Sequence, residues 1–294
     1  MNRQGRGFNY DLVYVERAPE FLAEAGFIQR NDLRYVAQDS SYQLWPQHSW
    51  LTKLKPEIVL EKGSFFHGGN AFVTFNPSLL MELNHQTTVS AYMYSWNDGL
   101  RPQDYPALPQ ETTFHGERAY GCTLTSSQLR MLTLNANFEW GPRLNYVPPS
   151  GQTPALTDYT HARVVMSVLT SRGLTVNNTY ILDRSLSLTT RHALYNSHIL
   201  QSKWNWQLNR ELSLRLIVQY NAMLANPLLT SIPTVRRFNA DFLFTYLVKP
   251  GTAIYVGYNS NLSRPGPPIG GPAPDRFVND GRQAFVKVSY FFRF

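Results

Sequence analysis

Val286-Lys287-Val288-Ser289-Tyr290-Phe291-Phe292-Arg293-Phe294 alternates apolar and polar residues, and its reading decides the fold. Successive side chains of a strand point to opposite faces. Val286, Val288, Tyr290, Phe292 and Phe294 therefore share one face, and Lys287, Ser289 and Arg293 the other. One face suits hydrocarbon and the other suits water.

The same pattern recurs upstream. Phe238, Ala240, Phe242, Phe244, Tyr246 and Val248 oppose Asn239, Asp241 and Thr245. Leu212, Leu214, Leu216, Val218 and Tyr220 oppose Ser213, Arg215 and Gln219. Leu200, Trp204 and Trp206 oppose Gln201, Lys203, Asn205 and Gln207, and Leu174, Val176, Tyr180 and Leu182 oppose Thr175, Asn177, Thr179 and Asp183. Near the front, Trp50, Thr52, Leu54, Pro56, Ile58 and Leu60 alternate with Lys53, Lys55, Glu57 and Glu61. Less regular strands are predicted over 7–15, 32–44, 70–83, 86–96, 118–126, 128–141, 160–169 and 252–261, for about fourteen in all.

Composition agrees. Of 294 residues, 14% are aromatic and only 16% charged, an unusual balance for a soluble domain. No run of about 18 apolar residues exists, so a membrane would be crossed by strands and not by a helix. The mean hydropathy of −0.31 does not oppose this, because every second residue of a barrel strand is polar. The one cysteine, Cys122, excludes an internal disulfide and a cysteine-based zinc site and reads as a small buried residue. The net charge of +7 comes from dispersed basic residues, Arg236-Arg237 being one of few pairs, so no nucleic-acid patch is expected. Met1–Gly7 lacks the apolar core of a signal peptide. The expectation is a mature portion, or a sequence incomplete at its front.

Tight turns are predicted at 46–49, 84–86, 126–128, 170–173, 208–211 and 248–252, where turn formers cluster. They alternate with long connections near 16–31, 62–69, 97–117, 142–159, 184–195, 222–237 and 262–282. Outer-membrane barrels place short turns at the periplasmic rim and long loops outside, whereas a soluble sandwich has less reason to segregate them. The carboxy terminus is then periplasmic and the strand count even. Hydrocarbon offers the backbone no hydrogen bonds, so the sheet must close. The fold class read is all-β: one antiparallel transmembrane β-barrel domain over 1–294, in the outer membrane of a Gram-negative bacterium. Tyr180, Trp204, Trp206, Tyr220, Tyr246, Tyr290 and Phe294 are candidates for its aromatic girdles.

The terminal strand resembles that of outer-membrane barrels. The resemblance implies that Val286, Val288, Tyr290, Phe292 and Phe294 form the signal read by the barrel-assembly machinery. Three stretches resemble something more specific: Pro19–Arg34 with its Ala25-Gly26-Phe27-Ile28-Gln29-Arg30 block, Leu208–Asn221, and Thr245–Asn259 with the Pro250-Gly251-Thr252 turn. Together they are similar to the carboxy-terminal barrel region of the DUF5916 family, from about residue 8 to Phe294. That family usually carries an amino-terminal family 9 carbohydrate-binding-like domain, a signal peptide and further strands upstream, none of which this sequence contains. The resemblance implies a carboxy-terminal portion, whose strands either close alone or are joined by further ones in a larger barrel, and a saccharide ligand.

No catalytic, cofactor-binding or metal-ligating residue is assigned. The seven histidines, His48, His67, His85, His115, His161, His192 and His198, show neither His-Glu-x-x-His nor paired metal-ligand spacing, and Gly-x-Ser-x-Gly does not occur. His115 near Glu117 or Asp104 at the outer rim would be the acid–histidine pair of a surface hydrolase; solvated loop residues are the plainer reading. The proline-rich 262–282 reads as a stiff surface loop and Ala18–Arg30 as a packing segment at the mouth. Lys53, Lys55, Glu57, Lys203, Arg215, Asp241, Lys287 and Arg293 are the candidate lumen-lining residues, as a salt-bridged interior or a weakly selective pore. The expected role is surface binding or passage, with the lipid bilayer as partner. The alternatives are a glycan or peptide hydrolase, or an anchor for a missing carbohydrate-binding domain.

Overall fold

The computed structural model describes residues 1–21, 31–46, 48, 50–170, 173–266 and 276–290. Among these residues there are fifteen β-strands and no helix. They are β1 (Asn2–Gln4), β2 (Phe8–Arg17), β3 (Leu33–Tyr42), β4 (Leu51–Phe65), β5 (Asn70–Leu83), β6 (Thr87–Leu100), β7 (Thr112–Leu129) and β8 (Leu132–Leu144). Then follow β9 (Leu156–Leu169), β10 (Leu174–Ser187), β11 (Ala193–Gln207), β12 (Leu212–Ala225), β13 (Val235–Lys249), β14 (Thr252–Pro265) and β15 (Val278–Tyr290). They form one antiparallel sheet in chain order. This is the up-and-down strand order of an outer-membrane β-barrel.

The fourteen predicted strands correspond one to one to β2–β15. The described count is fifteen and not even, because β1 was missed. Three residues are too few to show alternation, and β1 is recognisable only by its register on β2, Arg3 opposite Tyr10, with the Met1 amino group donating to the Leu12 carbonyl at 2.7 Å. Most of the other strands run further than predicted, chiefly toward the long connections; β5 keeps its predicted bounds and β3 falls within 32–44. The connection expected over 97–117 narrows to 101–111, and that over 184–195 to 188–192. Thr112–Glu117 mixes polar residues on both faces, so the pairing continues where the alternation has stopped.

The chain divides into two units: Met1–Leu124 with Phe138–Tyr159 and Ser187–Arg191, and Thr125–Asn137 with Thr160–Leu186 and His192–Phe294. In both, burial is inverted relative to a soluble sheet. Halfway along the strands the large apolar side chains are the exposed ones: Ile58 and Leu60 on β4, Leu200 on β11 and Phe242 on β13, with Trp204 and Trp206 exposed toward the end of β11. Their neighbours Lys55, Glu57, Lys203 and Asp241 are half-buried on the opposite face. The buried apolar clusters lie instead at strand ends beside the long connections. One joins Leu33, Phe65 and Ala71; another joins Leu100, Leu108 and Leu144 with Tyr105, Phe114 and Leu156 around them.

Cys122 corrects its expectation. It is exposed, because it shares the apolar face of β7 with Tyr120 and that face has no protein cover. Of the candidate girdle residues, Tyr180, Trp204, Trp206 and Tyr290 are exposed while Tyr220 and Tyr246 are half-buried; Phe294 lies outside the described residues. So do residues 22–30 of the predicted packing segment and 267–275 of the proline-rich loop.

The inverted burial makes a prediction. Leu200→Arg places a charge on the exposed apolar face, which costs on the order of 2–4 kcal/mol when that face meets the bilayer interior and within about 0.5 kcal/mol when it meets water. Equilibrium urea unfolding of the protein in lipid vesicles is expected to give the larger loss.

Candidate functional site

In the first unit a cavity of about 560 Å³ opens on the polar face, lined by Arg17, Leu33, Tyr35, Glu61, Phe72, Thr74, Trp96, Asp98 and Tyr146. Parity and register assemble it. Leu33 and Tyr35, Phe72 and Thr74, and Trp96 and Asp98 are each two residues apart and so share a face. Across strands Arg17 pairs with Leu33, Tyr35 with Gly63, Glu61 with Thr74, Thr74 with Trp96 and Phe72 with Asp98. Gly63 sits between Tyr35 and Phe72, whose rings meet over it with centroids 5.8 Å apart. A Cβ at residue 63 would collide with the Phe72 ring. Glycine is therefore required there by close approach.

The polar wall is rich in acceptors. Thr74 Oγ1 donates to Glu61 Oε2 at 3.1 Å. Tyr146, from the β8–β9 connection, has its hydroxyl 2.9 Å from Asp98 Oδ2 and 3.2 Å from Glu117 Oε1. Glu117 is fully buried and its Oε2 accepts the Leu144 amide at 2.9 Å. Tyr146 is held protonated: burial first, then the nearby Asp98 and Glu117 carboxyl groups, push its ionisation far above the ordinary tyrosine range. Behind this wall the Arg143 guanidinium lies between the Trp96 and Tyr159 rings, 5.0 and 4.7 Å from their centroids, and pairs with Glu139 at 2.6 Å. The Arg17 guanidinium lies 5.8 Å from the Tyr35 centroid.

Beside the cavity, the β4–β5 turn and the 101–111 connection are tied by charge. Arg101 bonds Asp32 at 2.7 Å and Asp104 at 3.1 Å and lies 4.5 Å over the buried Phe65 ring. Asp32 also accepts the Phe66 amide at 3.1 Å. His67 stacks on Phe65 and places Nε2 3.1 Å from Glu111 and Nδ1 3.6 Å from Asp32. The acids of the alternative acid–histidine reading for His115 make other contacts: Glu117 faces Tyr146 and Leu144, and Asp104 faces Arg101. A second acid–histidine contact, His161 with Asp183 at 2.8 Å, forms in the second unit. Among the described residues no group of three or more His, Cys, Asp or Glu is placed to hold a metal ion.

The predicted lining residues fall as follows. Lys53 pairs with Glu82 at 3.0 Å and Lys55 with Glu57 at 2.7 Å; Lys55 and Glu57 also line a second cavity of about 580 Å³ with β1 and Asp39. In the second unit Lys203 stands opposite Asn177 and Ile217, Arg215 opposite Asn205 and Leu243, Asp241 accepts from Asn259, and Lys287 lies 6.0 Å from the Tyr255 ring centroid. The register thus puts these residues on the polar face. Val286, Val288 and Tyr290 are exposed on the other face of β15. Phe292, Arg293 and Phe294 lie outside the described residues.

No family model matches the chain, and no curated protein does. Among solved structures the chain is similar to in-vitro folded OmpT, an outer membrane protein of Vibrio cholerae, at 10% identity and a TM-score of 0.39 over 98% of this chain and 99% of that one.

The charged tie sets an expectation for stability. Arg101 and Asp32 are nearly buried, with side chains 10% and 17% exposed, so Arg101→Ala leaves a carboxylate without its partner and costs about 3 kcal/mol. His67 is 56% exposed, and His67→Ala costs less than about 1 kcal/mol. Unfolding midpoints of the two variants check the order.

Proposed function

We propose that this protein is an outer-membrane β-barrel that binds a polyhydroxylated solute, of the saccharide class, in the cavity between Tyr35, Phe72, Trp96 and Asp98. The observation that carries the reading is the lining itself. Flat aromatic faces suit the C–H faces of sugar rings, and the carboxylates of Glu61 and Asp98 accept hydrogen bonds from hydroxyls. The bilayer is supported by the exposed apolar residues halfway along the strands, which only a nonaqueous surrounding would cover. The exposed Val286, Val288 and Tyr290 fit recognition by the barrel-assembly machinery. The resemblance to the DUF5916 barrel region, with its upstream carbohydrate-binding-like domain, points to the same ligand class and to further strands beyond those present here. Binding, with or without passage, is favoured over hydrolysis and over a pure anchor. The acids expected beside His115 are engaged elsewhere, and the cavity has the lining of a binding site.

Titration of the detergent-solubilised protein with cellohexaose and maltohexaose, followed by tryptophan fluorescence and calorimetry, tests this. At least one is expected to bind saturably, and Trp96→Ala is expected to weaken that binding about tenfold through loss of a stacking face. Trp206→Ala, on the apolar face, leaves it unchanged. A panel of neutral oligosaccharides that gives no saturable response sinks the saccharide reading.

A further inference from the structure

Tyr146 Oη carries one hydrogen yet lies within hydrogen-bond distance of two carboxyl groups, Asp98 Oδ2 at 2.9 Å and Glu117 Oε1 at 3.2 Å. With both carboxyl groups ionised, one of these contacts would set two lone pairs against each other with no proton between them. Tyr146 keeps its proton, so the missing hydrogen belongs to a carboxyl group. Glu117 is the one placed to hold it. It has no solvent exposure, and its other oxygen already accepts the Leu144 amide at 2.9 Å; Asp98 is buried as well, at 8% exposed, but it lines the cavity, and Glu117 does not. An isolated buried carboxylate costs far more than the neutral acid.

We propose that Glu117 is a neutral carboxylic acid that acts as a positioning residue. Its Oε1–H donates to Tyr146 Oη, whose own hydrogen is thereby directed to Asp98 Oδ2. Asp98 is left as the anionic acceptor at the cavity wall. The site is thus built for a ligand that presents hydrogen-bond donors, hydroxyl or ammonium groups, and against one that presents carboxylate or phosphate. This ligand class deepens the binding reading above and rests on it; the protonation of Glu117 does not. The groups facing Glu117 are Asp98 of β6, Tyr146 of the β8–β9 connection, and Arg143 with the Leu144 amide on β8, Arg143 being engaged by Glu139.

Infrared difference spectroscopy of wild type against Glu117→Gln at neutral pH reads the proton directly. The C=O stretch of a protonated carboxyl group, shifted down in heavy water, is expected in the wild type and lost in the variant. Its absence from the wild type overturns the proposal while leaving saccharide binding untouched. Binding of cellohexaose or maltohexaose as a function of pH gives the second arm. Once rising pH ionises Glu117, two carboxylates contest one tyrosine proton, so wild-type affinity is expected to fall about tenfold while the pH profile of Glu117→Gln is flat. Parallel profiles overturn the positioning role. A protonated carboxyl band without any oligosaccharide binding removes the proposed ligand and leaves the buried acid standing.

Discussion

Large apolar side chains halfway along the strands have no protein to cover them, and the rest of the architecture depends on that. In water each square ångström of such surface left exposed forgoes roughly 25 cal/mol, and Ile58, Leu60, Leu200, Trp204, Trp206 and Phe242 all lie on the open side. Packing that would normally hold a sheet's centre is found instead at the strand ends, where Phe65 and Leu100 are almost wholly buried. A hydrocarbon surrounding reconciles the two. It rewards apolar residues only over its own thickness, and beyond it the protein must make its own core. The backbone ladder then carries the sheet between these ends, since lipid offers no alternative partner for N–H and C=O.

The polar face obeys a different constraint, that of volume. Tyr35 and Phe72 meet only because residue 63 lacks a side chain, and the same device recurs in the second unit, where Phe285 lies against Gly257 opposite it. An aromatic ring folded over a glycine keeps the strand covered while drawing the ring out of the interior. At Gly63 the outcome is a cavity lined by both rings and carboxylates.

What could be read from the sequence was whatever depends on period two. Halfway along β11 and β13 the faces assigned from alternation are those observed, and the short turns at 84–86, 208–211 and 248–252 fall between the strands expected. What could not be read depends on register or on contacts distant in sequence. Glu61 stands beside Thr74, and Phe72 beside Asp98, but alternation fixes only the side on which each residue lies. Asp32, His67, Arg101 and Glu111 converge from three separate connections, and no spacing rule links them. Tyr146 lies outside any strand. Glycine offered the one available signal: Gly63 interrupts a strand of large residues opposite a pair of aromatics, which marks a close approach.

The two units also differ in how their polar faces satisfy themselves, and this bears on where a ligand belongs. In the second unit the side chains include rows of uncharged amides bonded across and along strands. Gln201 donates to Gln219 at 2.7 Å and Gln219 to Asn221 at 3.0 Å, while Asn239 donates to Asn261, Asn261 to Asn259 at 2.7 Å, and Asn259 to Asp241. Each amide carries donors and an acceptor, so such a row can close on itself without help from outside. Carboxylates only accept. Around the first unit's cavity Glu61 accepts a hydroxyl from Thr74 and Asp98 one from Tyr146, so the carboxylates there act as acceptors. A face that closes on itself has little to gain from a solute, whereas an acceptor-rich wall beside aromatic rings gains hydrogen bonds from each hydroxyl brought to it, and this imbalance is why the solute is assigned to the cavity at Trp96 and Asp98.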